Sequence, residues 1–449
     1  MHIDFLLEKF NNYKDKHAMV WCEEITTYDW LYNQTKMWIK KIREENIPEG
    51  SIVMLEGNFS PNAVAFFLAL IDCECIIVPL AKATIHNKKE FSEIAEIEFL
   101  ITINKDDAVE IEKQNKISSH PLYEKLRKNK NPGLVLFSSG STGKSKATVH
   151  NISYLLDKFR VSRHAWNTIT FLLYDHIGGI NTMLYTLSNG GCIITVKNRT
   201  PDDVLKAVEK YKVQLLPTTP TFINLILFSE AYKRYDLSSL ELVTYGTEPM
   251  PESTLKRFHE LFPEMRLLQT YGLSEIGIMR SKSKSSGSLW VKIGGEGFET
   301  RVVNNLLEIK AKTAMLGYLN APSPFTEDGW FITGDAVEVD GQYMKILGRK
   351  SEIINVGGEK VYPTEVENVI YEIENVDDVT VYSEKNPIVG NIVCAQIKLH
   401  NPENTKEFTN RLKTYCRKKL KNYKVPVKVF ISDEEQFSER LKKRRVKNV

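Results

Sequence analysis

The densest run of chemically useful side chains is Leu134-Val-Leu-Phe-Ser-Ser-Gly-Ser-Thr-Gly-Lys-Ser-Lys146. An apolar strand runs into small hydroxyls and glycines, then lysines. Glycines let backbone approach a phosphate closely. Successive N–H groups and hydroxyls can donate to it, and lysine adds charge. A P-loop requires a glycine five residues before Gly143, and that position is Ser138. The stretch therefore reads as a phosphate-binding loop of another kind.

Other polar clusters stand further along the chain. These are Tyr174-Asp-His-Ile-Gly-Gly179, Tyr271-Gly-Leu-Ser-Glu275, Gly329-Trp-Phe-Ile-Thr-Gly-Asp335 and Gly348-Arg349. A basic run extends from Arg440 to Lys447, and charge alone would make it a solvated end. The carboxylates of Glu275 and Asp335 suit a hard cation or a set of hydroxyl donors.

The elements that must carry these residues alternate. Thr27 to Glu45 reads as a helix, with Trp30, Leu31, Met37, Trp38 and Ile42 recurring on one face. Ser51 to Glu56 is a short strand, Pro61 opens a helix through Ile71, and Cys75 to Pro79 is a second strand. The rhythm returns as a helix at Leu184 to Leu187, a strand at Cys192 to Val196, a helix at Pro201 to Tyr211 and a strand at Val213 to Leu216. This is the pattern of an α/β domain with parallel pairing. Residues 285–347 hold short strands with turns at Asn304-Asn305 and Asp340-Gly341, and read as a small β-barrel-like unit attached to the α/β body. After Arg349 the chain restarts as an α+β unit of about 100 residues, a normal small-domain size. The expected division is 1–349 and 350–449.

The chain has 449 residues, 42% hydrophobic and 26% charged, which is ordinary for a soluble globular protein. With 60 basic and 57 acidic side chains it carries too even a balance for a dedicated nucleic-acid binder. The six cysteines show no zinc-site spacing, and Cys73 and Cys75 read as buried thiols in a reducing compartment. The first residues carry Asp4 and Glu8 and do not read as a signal peptide. The apolar stretch from Asn62 to Leu80 is broken by Asp72 and Glu74, so no membrane span is expected. The expected location is the cytoplasm.

The loop Phe137–Lys146 resembles the phosphate loop of the adenylate-forming superfamily: acyl- and aryl-CoA synthetases, nonribosomal peptide adenylation domains and luciferases. Tyr271–Glu275 is similar to its tyrosine–glycine–x–threonine–glutamate motif and Thr333-Gly-Asp335 to its threonine–glycine–aspartate motif. Gly348-Arg349 with Gly357-Gly-Glu-Lys-Val-Tyr-Pro-Thr-Glu-Val-Glu367 resembles the start of its mobile C-terminal domain. The resemblance, carried by four motifs in the family's order, covers nearly the whole chain. The resemblance implies a large α/β N-terminal domain, the small β unit, and a mobile α+β C-terminal domain. It implies an ATP-dependent acid–thiol ligase that makes an acyl-AMP, then passes the acyl group to CoA or a carrier protein.

The same resemblance assigns roles. Ser138, Ser139, Gly140, Ser141, Thr142, Gly143 and Lys146 would hold phosphates, and Ser274 would add a hydroxyl. Glu275 would hold Mg²⁺. Tyr271, Gly272, Thr270 and the Gly246-Thr247-Glu248 backbone would surround adenine. Asp335 would meet the ribose hydroxyls, and Arg349 the ribose or phosphate. His176 would stand between the acyl pocket and the tunnel for CoA or phosphopantetheine. Gly178, Gly179, Thr219, Tyr245, Gly246, Thr270, Ile276 and Gly277 would line an uncharged acyl pocket. Lys442 aligns best with the catalytic lysine, with Lys443 as its rival. Ser351 would be the hinge.

The chain departs from the family at several positions. Ser145 replaces the loop proline, Ala147 the glycine after it, and Leu441 the glycine before the catalytic lysine. Alternatives are an amino-acid-adenylating enzyme loading a carrier protein, with Asp175 near the expected amine ligand, or a nucleotide-binding relative without catalysis.

Overall fold

The computed structural model describes residues 2–114, 116–139 and 145–443. Two seven-stranded sheets form the body. In the first, Arg266–Gln269, Leu242–Tyr245, Leu215–Thr218, Asn167–Ile169, Cys192–Ile194 and His17–Trp21 run parallel, with Glu24–Thr27 antiparallel at the edge. In the second, Gly133–Ser139, Ile76–Ala81, Ile52–Gly57 and Phe99–Ile103 are parallel. Ser145–Asn151 and Val109–Lys113 flank them antiparallel.

The largest core joins strands of both sheets through the helices Pro61–Asp72 and Ile177–Ser188. Between Ala63 and Asp72 every residue of the first helix is buried. A helix apolar all round has to lie between layers rather than on a surface. Its start is set by Ser60, whose hydroxyl accepts from Ala63 N–H while donating to Asp107, with Pro61 in the first turn.

Two expectations need adjusting. The Tyr28–Glu44 helix buries Leu31, Thr35, Ile39 and Ile42, while Trp30 and Met37 stay at the surface. The aromatic and thioether bulk misdirected the choice of face. The second helix is longer than its apolar run, because Gly178 and Gly179 interrupt the visible period. A side chain at Gly179 would strike the Leu173 carbonyl, 2.1 Å from an ideal Cβ.

Residues 280–349 contribute a six-stranded antiparallel sheet. The Asn304-Asn305 turn holds both residues at positive φ, 52° and 63°, as a tight hairpin of this hand requires. A five-stranded sheet with the helices Pro363–Ile370 and Thr405–Lys419 follows, packed on a separate core that includes Val366, Val379, Phe408 and Leu412. Cys73, Cys75, Cys192, Cys394 and Cys416 are buried free thiols, and Cys22 is exposed. Among the described residues no helix is long and apolar enough to cross a membrane.

Leu68 is wholly buried between the sheets. Leu68→Ala should cost about 2–5 kcal/mol of unfolding free energy, read from urea denaturation, because both layers must collapse onto the void.

Candidate active site

The phosphate-loop hairpin closes between Gly133–Ser139 and Ser145–Asn151, with Ser138 opposite Lys146 and Ser139 opposite Ser145. Gly140, Ser141, Thr142 and Gly143 lie outside the described residues. The base of the hairpin is tied down: Ser145 N–H donates to Glu90 at 3.3 Å and Ala147 N–H to Asn320 at 3.1 Å. Lys146 Nζ stands 5.5 Å from the centre of the Tyr318 ring. Tyr318 Oη in turn donates to Glu275 Oε1 at 2.8 Å.

Glu275 is therefore oriented by a tyrosine 43 residues away. Its segment is also held through backbone. Met315 N–H donates to the Glu275 carbonyl at 2.7 Å, and His150 Nε2 donates to the Ser274 carbonyl at 2.5 Å. His150 is completely buried, and burial pushes its pKa down to about 4, so the ring is a neutral strut. Sequence reasoning missed both residues. Tyr318 lies on a two-residue strand, Gly317–Tyr318, with no local signal of its partner.

Asp335 is buried and is approached from two sides. Tyr271 Oη donates to its Oδ2, and Arg349 Nε lies 3.0 Å from its Oδ1. Burial raises its pKa while the guanidinium opposes that shift. The antiparallel pairing of Asp335 with Arg349 puts the two side by side. Tyr271 is itself buried in the core of the β unit. Across the site, Gly246 abuts Thr270: an ideal Cβ there would lie 2.6 Å from Thr270 Oγ1. Thr247 adopts φ 74°, a strained conformation for a β-branched residue. Gly272 packs against Ile278 and the Gly277 carbonyl.

The basic end is not a solvated tail up to Lys443. Phe437 bridges to Lys443, and Ser438 N–H donates to the Lys442 carbonyl at 2.8 Å, closing a tight loop. Leu441 has φ 52° and is 8% exposed, packed in the core of the first sheet. A left-handed backbone costs a leucine about 1–2 kcal/mol. Burying its side chain gains about 1.5–3 kcal/mol. The departure from glycine is thus offset by docking. Thr219 Oγ1 donates to the Leu441 carbonyl at 2.9 Å. Arg440 pairs with buried Asp175 at 3.2 Å, and Arg199 donates to the Glu439 carbonyl. Asp175 also accepts from Thr84 Oγ1 at 2.6 Å.

The two neighbouring lysines diverge. Lys443 turns into the C-terminal unit. Its Nζ donates to Tyr371 Oη at 2.7 Å and the Val379 carbonyl at 2.5 Å, and lies 3.3 Å from Asp378. Its N–H donates to Glu248 Oε2 at 3.0 Å, while Glu248 Oε1 accepts from Thr221 N–H and hydroxyl. Glu248 thus uses its carboxylate to clasp the tail.

Lys442 is half-buried, and desolvation with the nearby Arg440 charge lowers its pKa to about 8. The charges of Glu248, Arg349 and Glu275 also act on it. Among the described residues its ammonium has no ion-pair partner within 4.0 Å. His176 caps the Ile177–Ser188 helix, its Nδ1 accepting from Gly178 N–H at 3.0 Å. Burial and the Lys442 charge keep it neutral. Lys442, Glu275, Asp335, Arg349 and His176 therefore converge, although 266 residues separate His176 from Lys442 in sequence.

Glu275 and the adjacent Ser274 are oxygen donors of the kind Mg²⁺ takes. Among the described residues no group of three His, Cys, Asp or Glu gathers to hold a metal by protein alone. Such a donor set fits an ion shared with phosphate oxygens. A separate groove of about 590 Å³, lined by residues including Lys16, Cys192, Lys210 and Lys212, shares none of these groups. Lys210 and Lys212 there are paired with Glu23 and Asp236.

An α/β body with a glycine–hydroxyl hairpin, a buried aspartate paired to an exposed arginine, and a lysine loop that follows a C-terminal unit with its own core is the architecture that the comparisons identify. The AMP-binding enzyme family matches residues 6–295, and the AMP-binding enzyme C-terminal domain matches residues 365–440; the chain belongs to this family. It is 27% identical over 299 residues to the indoleacetate–CoA ligase of Aromatoleum aromaticum, covering 59% of this chain and 57% of that protein. It is 25% identical over 373 residues to the 2-succinylbenzoate–CoA ligase of Bacillus subtilis, covering 77% and 72%. The first-matched curated relatives are spanned over only about half of their length. The fold is that of an anthranilate CoA ligase solved with anthranoyl-AMP (TM-score 0.80, 17% identity, 96% of this chain and 93% of that one). It is equally that of o-succinylbenzoate CoA synthetase from Bacillus subtilis with its acyl-adenylate (TM-score 0.75, 19% identity, 98% and 97%).

The depressed pKa of Lys442 is directly measurable. In a lysine side-chain NMR titration, one resonance should lose its proton with a midpoint near pH 8 and vanish in Lys442→Gln. A Lys442 midpoint above 10 would contradict the desolvated placement.

Proposed function

We propose that the chain is an ATP-dependent acid–thiol ligase. A carboxylate oxygen of the substrate attacks the α-phosphorus of ATP and pyrophosphate leaves. A thiol then attacks the acyl carbon and AMP leaves. The observation that supports this reading is that Lys442, an ammonium without an ion partner among the described residues, lies near enough to Glu275 and Arg349 for their charges to act on it, with Arg349 paired to Asp335.

The first step brings an anion toward a polyanion. Two like unit charges 4 Å apart repel by about 4 kcal/mol at an effective dielectric near 20. Lys442 and Lys146 counter that repulsion, the first at the α-phosphate and the second at the outer phosphates. Asp335 accepts from the ribose hydroxyls with the lone pairs that Tyr271 and Arg349 leave free. Glu275 and Ser274 would hold Mg²⁺, which neutralises phosphate charge when bound. Neutral His176 stands at the helix start beside the acyl group and leaves room for an uncharged thiol-bearing arm.

CoA is favoured as the acceptor because the relatives are CoA ligases acting on aryl, arylacetic and long-chain acids. A carrier-protein phosphopantetheine would use the same thiol chemistry. An amino-acid substrate is disfavoured, because Asp175 is already engaged by Arg440 and Thr84. A cytoplasmic setting fits the free thiols. The division into an N-terminal unit to 349 and a mobile C-terminal unit from 350 fits the separate core of residues 354–431 and the exposed one-turn segment at Ser351.

The deciding assay is pyrophosphate exchange across a panel of carboxylic acids, followed by CoA or carrier protein as acceptor. No exchange with any acid would overturn the reading. Lys442→Ala should cut adenylate formation by roughly 10²–10³ while ATP binding persists. Lys443→Ala should act differently: it strips Asp378 and Tyr371 of a buried partner, so both half-reactions should fall together and by less. Glu275→Gln should raise the Mg²⁺ concentration needed for half-maximal adenylation, with thermal stability unchanged. Indifference to limiting Mg²⁺ would remove the metal role.

A further inference from the structure

We propose that Leu441 is a positioning residue whose side chain, by docking in the core of the first sheet, seats Lys442 in the site. This rests on the adenylation role proposed for Lys442.

The loop 437–443 belongs in sequence to the C-terminal unit, yet its contacts are divided. The Lys443 side chain is held by Tyr371, Val379 and Asp378 of that unit, and its N–H by Glu248 of the body. Glu439, Arg440 and Leu441 are held by the body, through Arg199, Asp175 and Thr219. Lys442 lies between the two sets of attachments.

Of the loop residues held by the body, Leu441 is the one with a buried apolar side chain. Phe437 packs beside it at the same core. Its left-handed φ of 52° turns the chain so that side chains 441 and 442 leave in different directions. A glycine would make that turn without strain but would have no anchor. Lys442 has no ion partner among the described residues to fix it from its own end. The geometry therefore places the restraint on Lys442 in its neighbour rather than in its own contacts.

The test compares Leu441→Gly and Leu441→Met with the wild-type full-length chain by two readouts. The first is amide hydrogen exchange at Ser438, Leu441 and Lys443, whose N–H groups are hydrogen-bonded in the docked loop. The second is the rate of each half-reaction, the thioester step starting from pre-made acyl-adenylate. Leu441→Gly should exchange these amides faster and lower the adenylation rate by about tenfold, with the KM for ATP and the thioester step little changed. Leu441→Met keeps the volume and should restore both.

Unchanged protection in Leu441→Gly overturns the proposal, as does lost protection with full adenylation. If the glycine variant does not fold, Leu441→Ala is read the same way. Failure of both to fold also overturns it, since Leu441 would then serve the fold rather than Lys442. Absence of adenylation in the wild type with every acid tested would instead remove the ligase reading. The exchange readout still decides whether Leu441 docks the loop.

Discussion

A half-buried lysine without an ion partner among the described residues has to be held where it is by the chain around it. Desolvation works against the charged form, so each additional restraint on Lys442 must come from backbone or from its neighbours. That constraint accounts for much of what surrounds the basic end. The tight Phe437–Lys443 loop, the left-handed Leu441, the Arg440–Asp175 pair and the Glu248 clasp all act on residues beside Lys442 rather than on its ammonium. The charge is left available for whatever anion enters between the two units.

The opposite wall is built on the reverse principle. Glu275 and Asp335 are acceptors, and each is already oriented by a tyrosine hydroxyl, from Tyr318 and Tyr271 respectively. Arg349 balances Asp335 across an antiparallel pair of strands. His150 braces the backbone of Ser274. These carboxylates are fixed before any ligand arrives, so ordering them then costs little. The body of two sheets and interleaved helices supplies the rigidity, while the lysine arrives on a separate unit with its own core.

Several family-like positions turn out to serve packing. Gly178, Gly179, Gly246 and Gly272 each face a neighbour closer than any Cβ tolerates. Their smallness lets backbone segments approach. Thr219, expected at an acyl pocket, spends its hydroxyl on the Leu441 carbonyl.

The sequence by itself determined the architecture and the family. Alternating helix and strand periods, the glycine–hydroxyl loop and the ordered motifs ending at Arg349 are local patterns, and local patterns survive without tertiary context. Helix starts at Pro61 and Pro201 and the Asn304-Asn305 turn were legible because caps and turns depend on a few adjacent residues. The buried face of the Tyr28–Glu44 helix was not, since Trp30 and Met37 offer as much apolar surface as the residues that are buried. Nor could sequence choose between Lys442 and Lys443. Two adjacent lysines are chemically alike, and only the fold pairs one with Asp378 and leaves the other without an ion partner among the described residues. The roles of Tyr318, His150, Asp175 and Leu441 were likewise decided by tertiary structure. Each depends on a partner dozens to hundreds of residues away, and no local spacing encodes a contact made across separate layers.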